Sequence, residues 1–358
     1  MILLNPGPVT LTNRVKSSLL REDLCHREPE FGKLQQDIRV KLLSVYGTEN
    51  SAWTSILLTG SGTAAVEALI TSLTPKTGRL LIAENGVYGE RISKIAARSR
   101  INNDQIKSNW TDPINLIELE KALSSRKYSH LALVHHETTT GRLNNLDKIF
   151  HLCEQFNCKI LLDAVSSFGA EDLIFNTKLI TGVAATANKC LHGVPGISFV
   201  IANKEDLLKQ QDPKRSTYLN LYDYFAAQEK KSTPYTQSIQ CMYALNEALD
   251  EYLESGGLHS RQELYKKRMD YASNFLEKLN INMFLKLEDA SCVLRSFYIP
   301  KKYDYKVIHD HLKEHGFVIY SGQGHLKERL FRLSFMGEIL EEDMRNLQKA
   351  FQTLFIES

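Results

Sequence analysis

From residue 55 to residue 202 the chain repeats one pattern: a short apolar run, a turn, then a segment with helical spacing. Residues 55–58, 80–83, 130–135, 159–163, 182–187 and 197–202 read as strands. Helices are expected over 64–72, 88–97, 116–124 and 146–156. The strand runs do not alternate apolar with polar, so both of their faces are buried. Buried strands separated by helices predict an α/β fold whose mainly parallel sheet is covered by helices. Ligands of such sheets bind beyond the carboxyl ends of the strands. The polar residues expected there are Ser61, the stretch 135–139, Asp163 and Lys189.

The flanks read differently. Asn5-Pro6-Gly7-Pro8 is a turn-rich arm, because proline fixes φ and removes donors. Helices are expected over 11–20 and, through Phe31, Leu34, Ile38, Leu42 and Val45, over 31–45. Residues 218–231 form an aromatic-rich amphipathic stretch, broken at 232–236 before a helix over 238–253. Glu254-Ser255-Gly256-Gly257 reads as an elbow. Beyond it come a helix over 258–279, strands over 283–287, 293–298, 318–320 and 330–335, and helices over 305–315 and 340–355. That mixture predicts a small α+β domain. The expected organisation is an N-terminal arm (1–20), a large domain (21–255) and a small C-terminal domain (256–358).

At 358 residues the chain is long enough for two domains. Lys and Arg number 44 against 42 Asp and Glu, so no charge excess points to nucleic acid or a membrane surface. No apolar run reaches membrane-spanning length, and the opening residues lack a basic signal-peptide region. Six scattered cysteines without zinc spacing suggest free thiols in the cytoplasm. His135 and His136 are adjacent on a strand and point to opposite faces, which argues against a shared metal; no metal site is expected.

Lys189 lies in Ala187-Asn188-Lys189-Cys190, the one lysine in an otherwise uncharged run from 181 to 200. Desolvation lowers an ammonium's pKa and suits the amine to attack a carbonyl. On its own, Lys189 more plainly reads as a strand-end lysine with its head in water. Asp163, ending an earlier apolar run, changes that balance. A lysine for the aldehyde and an aspartate for the pyridinium nitrogen are the two charged groups pyridoxal phosphate needs. Gly60-Ser61-Gly62-Thr63, between a strand and a helix, could cradle a phosphate, although such runs also make ordinary helix caps. It is neither a Walker loop nor a full dinucleotide fingerprint. Tyr88 could stack on a planar ring, or simply pack in the core. Glu137-Thr138-Thr139-Thr140-Gly141 could donate to a phenolate oxygen, or serve as turn chemistry.

In this order the motifs resemble class V, fold-type I aminotransferases that use pyridoxal phosphate, and within them the branch acting on 2-aminoethylphosphonate and pyruvate. The resemblance covers nearly the whole chain. It runs through Asn5-Pro6-Gly7-Pro8, Cys25-His26-Arg27-Glu28-Pro29, Gly60-Ser61-Gly62-Thr63, Tyr88-Gly89-Glu90-Arg91, Glu137-Thr138-Thr139-Thr140-Gly141, Asp163-Ala164-Val165-Ser166, Asn188-Lys189 and Gly193-Val194-Pro195-Gly196. It implies a seven-stranded sheet with a small C-terminal domain. It implies that Lys189 bonds the cofactor's aldehyde and carries protons, and that Asp163 pairs with the ring nitrogen. Tyr88 would stack on the ring and Thr138 lie near its phenolate oxygen. Ser61, Gly62 and Thr63 would hold the phosphate, with Val165 and Asn188 alongside. Thr236 would reach the phosphate from the other subunit of a homodimer. Arg332 would grip the acid group of an aminophosphonate or a 2-oxo acid, a planar fork matching either. Arg27 or Arg91 could assist with a doubly charged phosphonate, against the plainer reading of surface charge. The chain departs from the family pattern at His192, where Glu or Gln is expected, and at Gln323 and Ser334, all taken to lie near the substrate side. These departures keep alternatives open: an alanine or serine:glyoxylate aminotransferase, a lyase acting on an aminophosphonate, or a non-catalytic binding protein on the same fold.

Overall fold

The computed structural model describes residues 1–49, 52–209 and 212–356. Strand β1 (Ile2–Leu3) leads through the proline-rich turn to α1 (Asn13–Ser18) and α2 (Pro29–Ser44). Thr12 caps α1 by accepting from the Val15 N–H, and α2 starts on a proline, which needs no partner there. The alternating region then gives β2 (Trp53–Gly60), α3 (Gly62–Leu73), β3 (Leu80–Glu84), α4 (Val87–Arg98), β4 (Asn103–Lys107), α5 (Leu116–Ser125) and β5 (His130–Val134). A hairpin follows, β6 (His136–Glu137) with β7 (Arg142–Leu143), then α6 (Leu146–Gln155), β8 (Lys159–Asp163), β9 (Ile180–Thr186) and β10 (Gly196–Asn203). Helices α7 (Lys204–Lys209), α8 (Leu221–Gln228) and α9 (Ile239–Glu254) precede the left-handed Gly256 (φ +97°), where the chain turns into α10 (Gly257–Lys278). The C-terminal part contains β11 (Leu294–Tyr298), α11 (Tyr305–Glu314), β12 (Phe317–Val318), β13 (Tyr320–Ser321), β14 (Leu330–Ser334) and α12 (Glu341–Ile356).

The central seven-stranded sheet has the order β2-β10-β9-β8-β5-β3-β4. β10 is antiparallel to both of its neighbours; the other strands run one way. Each apolar run serves two cores at once. In β8, Ile160 and Leu162 join a core with α2, α5, α6 and α9, whereas Leu161 joins another with α3, α4 and α8. That division is why these strands read as continuous apolar runs. The C-terminal part packs α10, α11 and α12 on an antiparallel sheet, β11-β14-β13. β1 pairs with β12 and Leu4 is fully buried in that same core, so residues 2–4 pack with the far end of the chain.

Some expectations differ from the structure. β4 is a strand that the sequence hides. Asn-Asp-Gln-Ile-Lys is polar because it sits at the sheet edge, with only Ile106 buried. Residues 283–287 are not a strand. Met283 makes one isolated bridge to Phe297, and the chain then enters a 3-10 turn over Leu287–Asp289, where Leu287 is exposed. The expected strand over 318–320 is divided between two sheets: Val318 pairs with β1 and Tyr320 with β14, while Ile319 points into the core. Among the described residues no helix is long and apolar enough to cross a membrane.

Candidate active site

β2, β3, β5, β8 and β9 end at the same edge of the sheet, and the segments leaving them carry the expected site residues. Lys189 follows β9. Its Nζ donates to the Pro6 carbonyl, so the N-terminal arm lies against the lysine. Gly7 has φ +110°, and a Cβ there would stand 2.8 Å from Lys189 Cδ and 3.1 Å from the Asn188 carbonyl oxygen. Both backbone and contact therefore require glycine at this position. Burial lowers the Lys189 pKa from 10.5 to about 8. The positive charges of Arg332 and Arg91 act in the same direction, and Cys190 and Asp163 oppose them.

Asp163 ends β8. Its Oδ1 accepts from the Val165 N–H at 2.9 Å. Burial pushes the carboxyl up to about 6, against the pull of that hydrogen bond, Arg91 and Lys189. The acid and the amine thus share one electrostatic environment. Val165 faces Gly62, where a Cβ would come within 2.7 Å of Val165 Cγ1. The Thr186 hydroxyl donates to Asn188 Oδ1 at 2.9 Å, which orients the side chain beside the lysine.

Ser61 is the N-cap of α3 but makes no side-chain capping bond, so its hydroxyl is not committed to the helix. The amides at the start of the helix have no intrahelical acceptors. Arg91 Nη1 donates to Thr63 Oγ1 at 3.0 Å, and its guanidinium lies 4.7 Å from the centre of the Tyr88 ring. Arg91 therefore lies with Thr63 and Tyr88, although the plainer sequence reading made it surface charge. Arg27 is exposed and donates to the Thr233 carbonyl instead.

Tyr88 is placed by Glu137, whose role sequence reasoning missed. Glu137 is fully buried; its Oε2 accepts from the N–H groups of Tyr88 (3.2 Å) and Gly89 (3.3 Å), at the N-terminus of α4. Its Oε1 accepts from the N–H and hydroxyl of Thr139, and Thr139 Oγ1 accepts from the Val87 N–H at 3.0 Å. A carboxylate at a helix N-terminus meets the positive end of the dipole. Gly86 leaves room for that group, since a Cβ there would collide with the Glu137 carboxyl carbon.

Arg332, on β14, is 3% exposed. Its Nε donates to the Ser321 carbonyl and its Nη1 to the Thr138 carbonyl, each at 2.8 Å. These bonds carry the arginine from the C-terminal sheet to the β6-β7 hairpin. Burial lowers its pKa, while Tyr88 and Glu137 act to raise it. No carboxylate forms an ion pair with Arg332 or Arg91 among the described residues. A buried guanidinium left with carbonyls alone suits an anionic ligand. Thr236 is exposed, and its own chain gives it no place in this group. Two of the three departures, Ser334 and His192, have hydrogen-bond partners of their own. The Ser334 hydroxyl donates to the Val293 carbonyl at 2.7 Å, and His192 Nε2 bonds the Tyr265 hydroxyl and the Gly337 N–H. Ser334 thus bonds within the C-terminal part, and His192 ties the lysine turn to it.

Comparison with known proteins decides the family. The profile described as Aminotransferase class-V matches residues 13–347. A 2-aminoethylphosphonate–pyruvate transaminase of Bacillus cereus is 35% identical over 350 residues, 97% of this chain and 95% of that protein; one from Bacillus anthracis is equally similar. Among solved structures, an aspartate aminotransferase of subgroup IV from Thermus thermophilus superposes with TM-score 0.90 at 26% identity, covering 100% of this chain and 99% of its own. An alanine–glyoxylate aminotransferase from Nostoc sp. gives TM-score 0.90 at 27% identity, covering 99% and 94%. The chain is a class V aminotransferase.

Pyridoxal phosphate is the cofactor of such an enzyme. The residues present fit it. The uncapped N-terminus of α3 with Arg91 suits the phosphate, the aromatic face of Tyr88 a planar ring, the Asp163 carboxylate a protonated ring nitrogen, and the partly desolvated Lys189 amine an aldehyde.

Proposed function

We propose that this aminotransferase exchanges an amino group between 2-aminoethylphosphonate and pyruvate, giving phosphonoacetaldehyde and L-alanine, and works in either direction. The observation that carries the reading is the buried Arg332, held by the Ser321 and Thr138 carbonyls and without an ion-pair partner among the described residues. Its guanidinium fork fits the carboxylate of pyruvate in one half-reaction and the phosphonate in the other. The name borne by the Bacillus relatives, at 35% identity over 97% of the chain, supports the same pair.

Pyridoxal phosphate supplies the aldehyde that takes up the amino group and a ring that accepts the electrons left on the substrate carbon. Ser61, Gly62, Thr63 and Arg91 would hold its phosphate, Tyr88, Val165 and Asn188 would bound its ring, and Thr138 would donate to its phenolate oxygen. Asp163, pushed up to about 6 by burial, is still ionised at neutral pH and would keep a ring nitrogen set against it protonated. Lys189 Nζ moves the substrate proton, and its pKa of about 8 makes part of the amine available as a base near neutrality. Thr236, exposed on its own chain, reaches the phosphate of a second copy in a homodimer. An arm of residues 1–20, a large domain of 21–255 and a small domain of 256–358 describe its organisation. The six free cysteines fit work in the cytoplasm.

The test is a coupled assay on protein loaded with pyridoxal phosphate. 2-Aminoethylphosphonate and pyruvate together should give alanine and an aldehyde in equal amounts. Turnover with alanine or serine and glyoxylate but not with this pair, or release of ammonia, would assign a different substrate.

A further inference from the structure

The turn that carries Lys189 is fastened to the C-terminal part through His192. His192 adopts φ +62°, and its N–H donates to the Lys189 carbonyl at 2.9 Å, closing the turn behind the lysine. Its ring is buried. Two donors converge on its Nε2: the Tyr265 hydroxyl at 2.5 Å and the Gly337 N–H at 2.8 Å. A backbone N–H can only donate, so Nε2 carries no proton and the imidazole is the neutral Nδ1–H form. Burial, with the guanidinium groups of Arg261 and Arg268 nearby, favours that neutral form.

The donors come from two places that matter. Tyr265 lies on α10. One helical turn before it, Arg261 donates to the Cys190 carbonyl at 2.8 Å, so one face of α10 grips the lysine turn twice. Gly337 follows β14, the strand that presents Arg332. Arg268, further along α10, donates to the carbonyls of Phe335 (2.9 Å) and Gly337 (3.1 Å). α10 therefore holds the lysine turn with Arg261 and Tyr265 and the end of the arginine strand with Arg268. His192 closes the third side by joining the two directly.

We propose that His192 is a positioning residue: by accepting from Tyr265 and Gly337, it sets where Lys189 stands relative to Arg332. The function it performs is that of an acceptor at fixed reach, which a carboxamide oxygen also provides. The proposal rests on the reading that Lys189 and Arg332 act on one substrate. It predicts a particular kinetic split. Arg332 grips the acid group before and during the chemistry, so moving it away from Lys189 raises KM more than it lowers kcat. Partial unfolding would instead lower apparent kcat and leave KM unchanged.

The experiment compares His192→Phe, which keeps a ring but loses the acceptor, with His192→Gln, which restores one. Each is loaded with pyridoxal phosphate. The readouts are KM and kcat for pyruvate and 2-aminoethylphosphonate, and the pH midpoint of the visible absorbance, which needs no substrate. His192→Phe, which leaves both donors without their acceptor, should raise KM about tenfold with kcat within about threefold. It should also move the absorbance midpoint, and His192→Gln should return both toward the parent. Parental KM and midpoint in folded His192→Phe would overturn the proposal, as would equal impairment in His192→Gln. If His192→Phe does not fold, Tyr265→Phe, which removes one donor and keeps its ring, decides: a midpoint shifted in that variant supports the proposal and an unshifted one overturns it. Failure of the parent protein to turn over the pair would count against the functional reading alone, since the midpoint still tests the contact.

Discussion

A lysine drawn out of water costs the folded chain free energy before any cofactor binds. Burial holds the Lys189 pKa at about 8, against 10.5 for a free side chain. The unfolded chain thus keeps that proton more tightly, and this group's contribution to stability rises as pH increases from about 8 to 10.5. Below that window the penalty is fully present. Lys189→Met should therefore stabilise the cofactor-free protein at neutral pH by about 1–3 kcal/mol, and the gain should shrink as pH rises through the window. Urea denaturation at several pH values measures it, and a gain independent of pH would refute the assignment. Lys189 and Asp163 were legible in the sequence because a charge inside an apolar run must reach water, find a partner or serve the chemistry. Arg91 was not, since nothing in Tyr-Gly-Glu-Arg says which way the fourth residue turns. Glu137 was visible as part of a motif, but its partners at Tyr88 and Gly89 are some fifty residues away. The departures at His192 and Ser334 were visible too, but not their direction: their partners lie in the C-terminal part.

At the scale of elements, the apolar runs located the strands because each must fill two cores, and the site followed from where parallel strands end. β4 escaped because an edge strand with one neighbour is free to be polar. The N-terminal arm was legible as a turn and no further. Its position against Lys189 comes from the Pro6 carbonyl and the missing side chain of Gly7. Gly7→Ala puts a Cβ into Lys189 at a backbone angle that L residues resist, at about 1–2 kcal/mol. The loss should fall on function: kcat/KM down about tenfold or more, with the melting temperature lowered by only a few degrees. A variant that melts early yet retains parental kcat/KM in its folded fraction would show that the arm supports the fold and not the lysine.

At the scale of the whole molecule, the site is a junction. The central sheet contributes Asp163, Lys189 and the start of α3; the C-terminal sheet contributes Arg332; the hairpin between β6 and β7 joins them through the Thr138 carbonyl. The two-layer core of the large sheet was readable from periodicity alone. The path of Arg332 to the lysine was not, because it depends on β14 docking across more than a hundred residues of intervening chain, and only the family resemblance pointed to it. Around Lys189 the field of two guanidinium groups meets one buried carboxylate, which is the balance expected for an anionic amine or oxo acid. The most direct measurement follows the visible absorbance of the loaded protein as 2-aminoethylphosphonate is added without pyruvate. The absorbance should change in proportion to the protein present, return on adding pyruvate, and stay unchanged in Lys189→Ala. No change with the aminophosphonate, or the same change in Lys189→Ala, would contradict the proposed exchange.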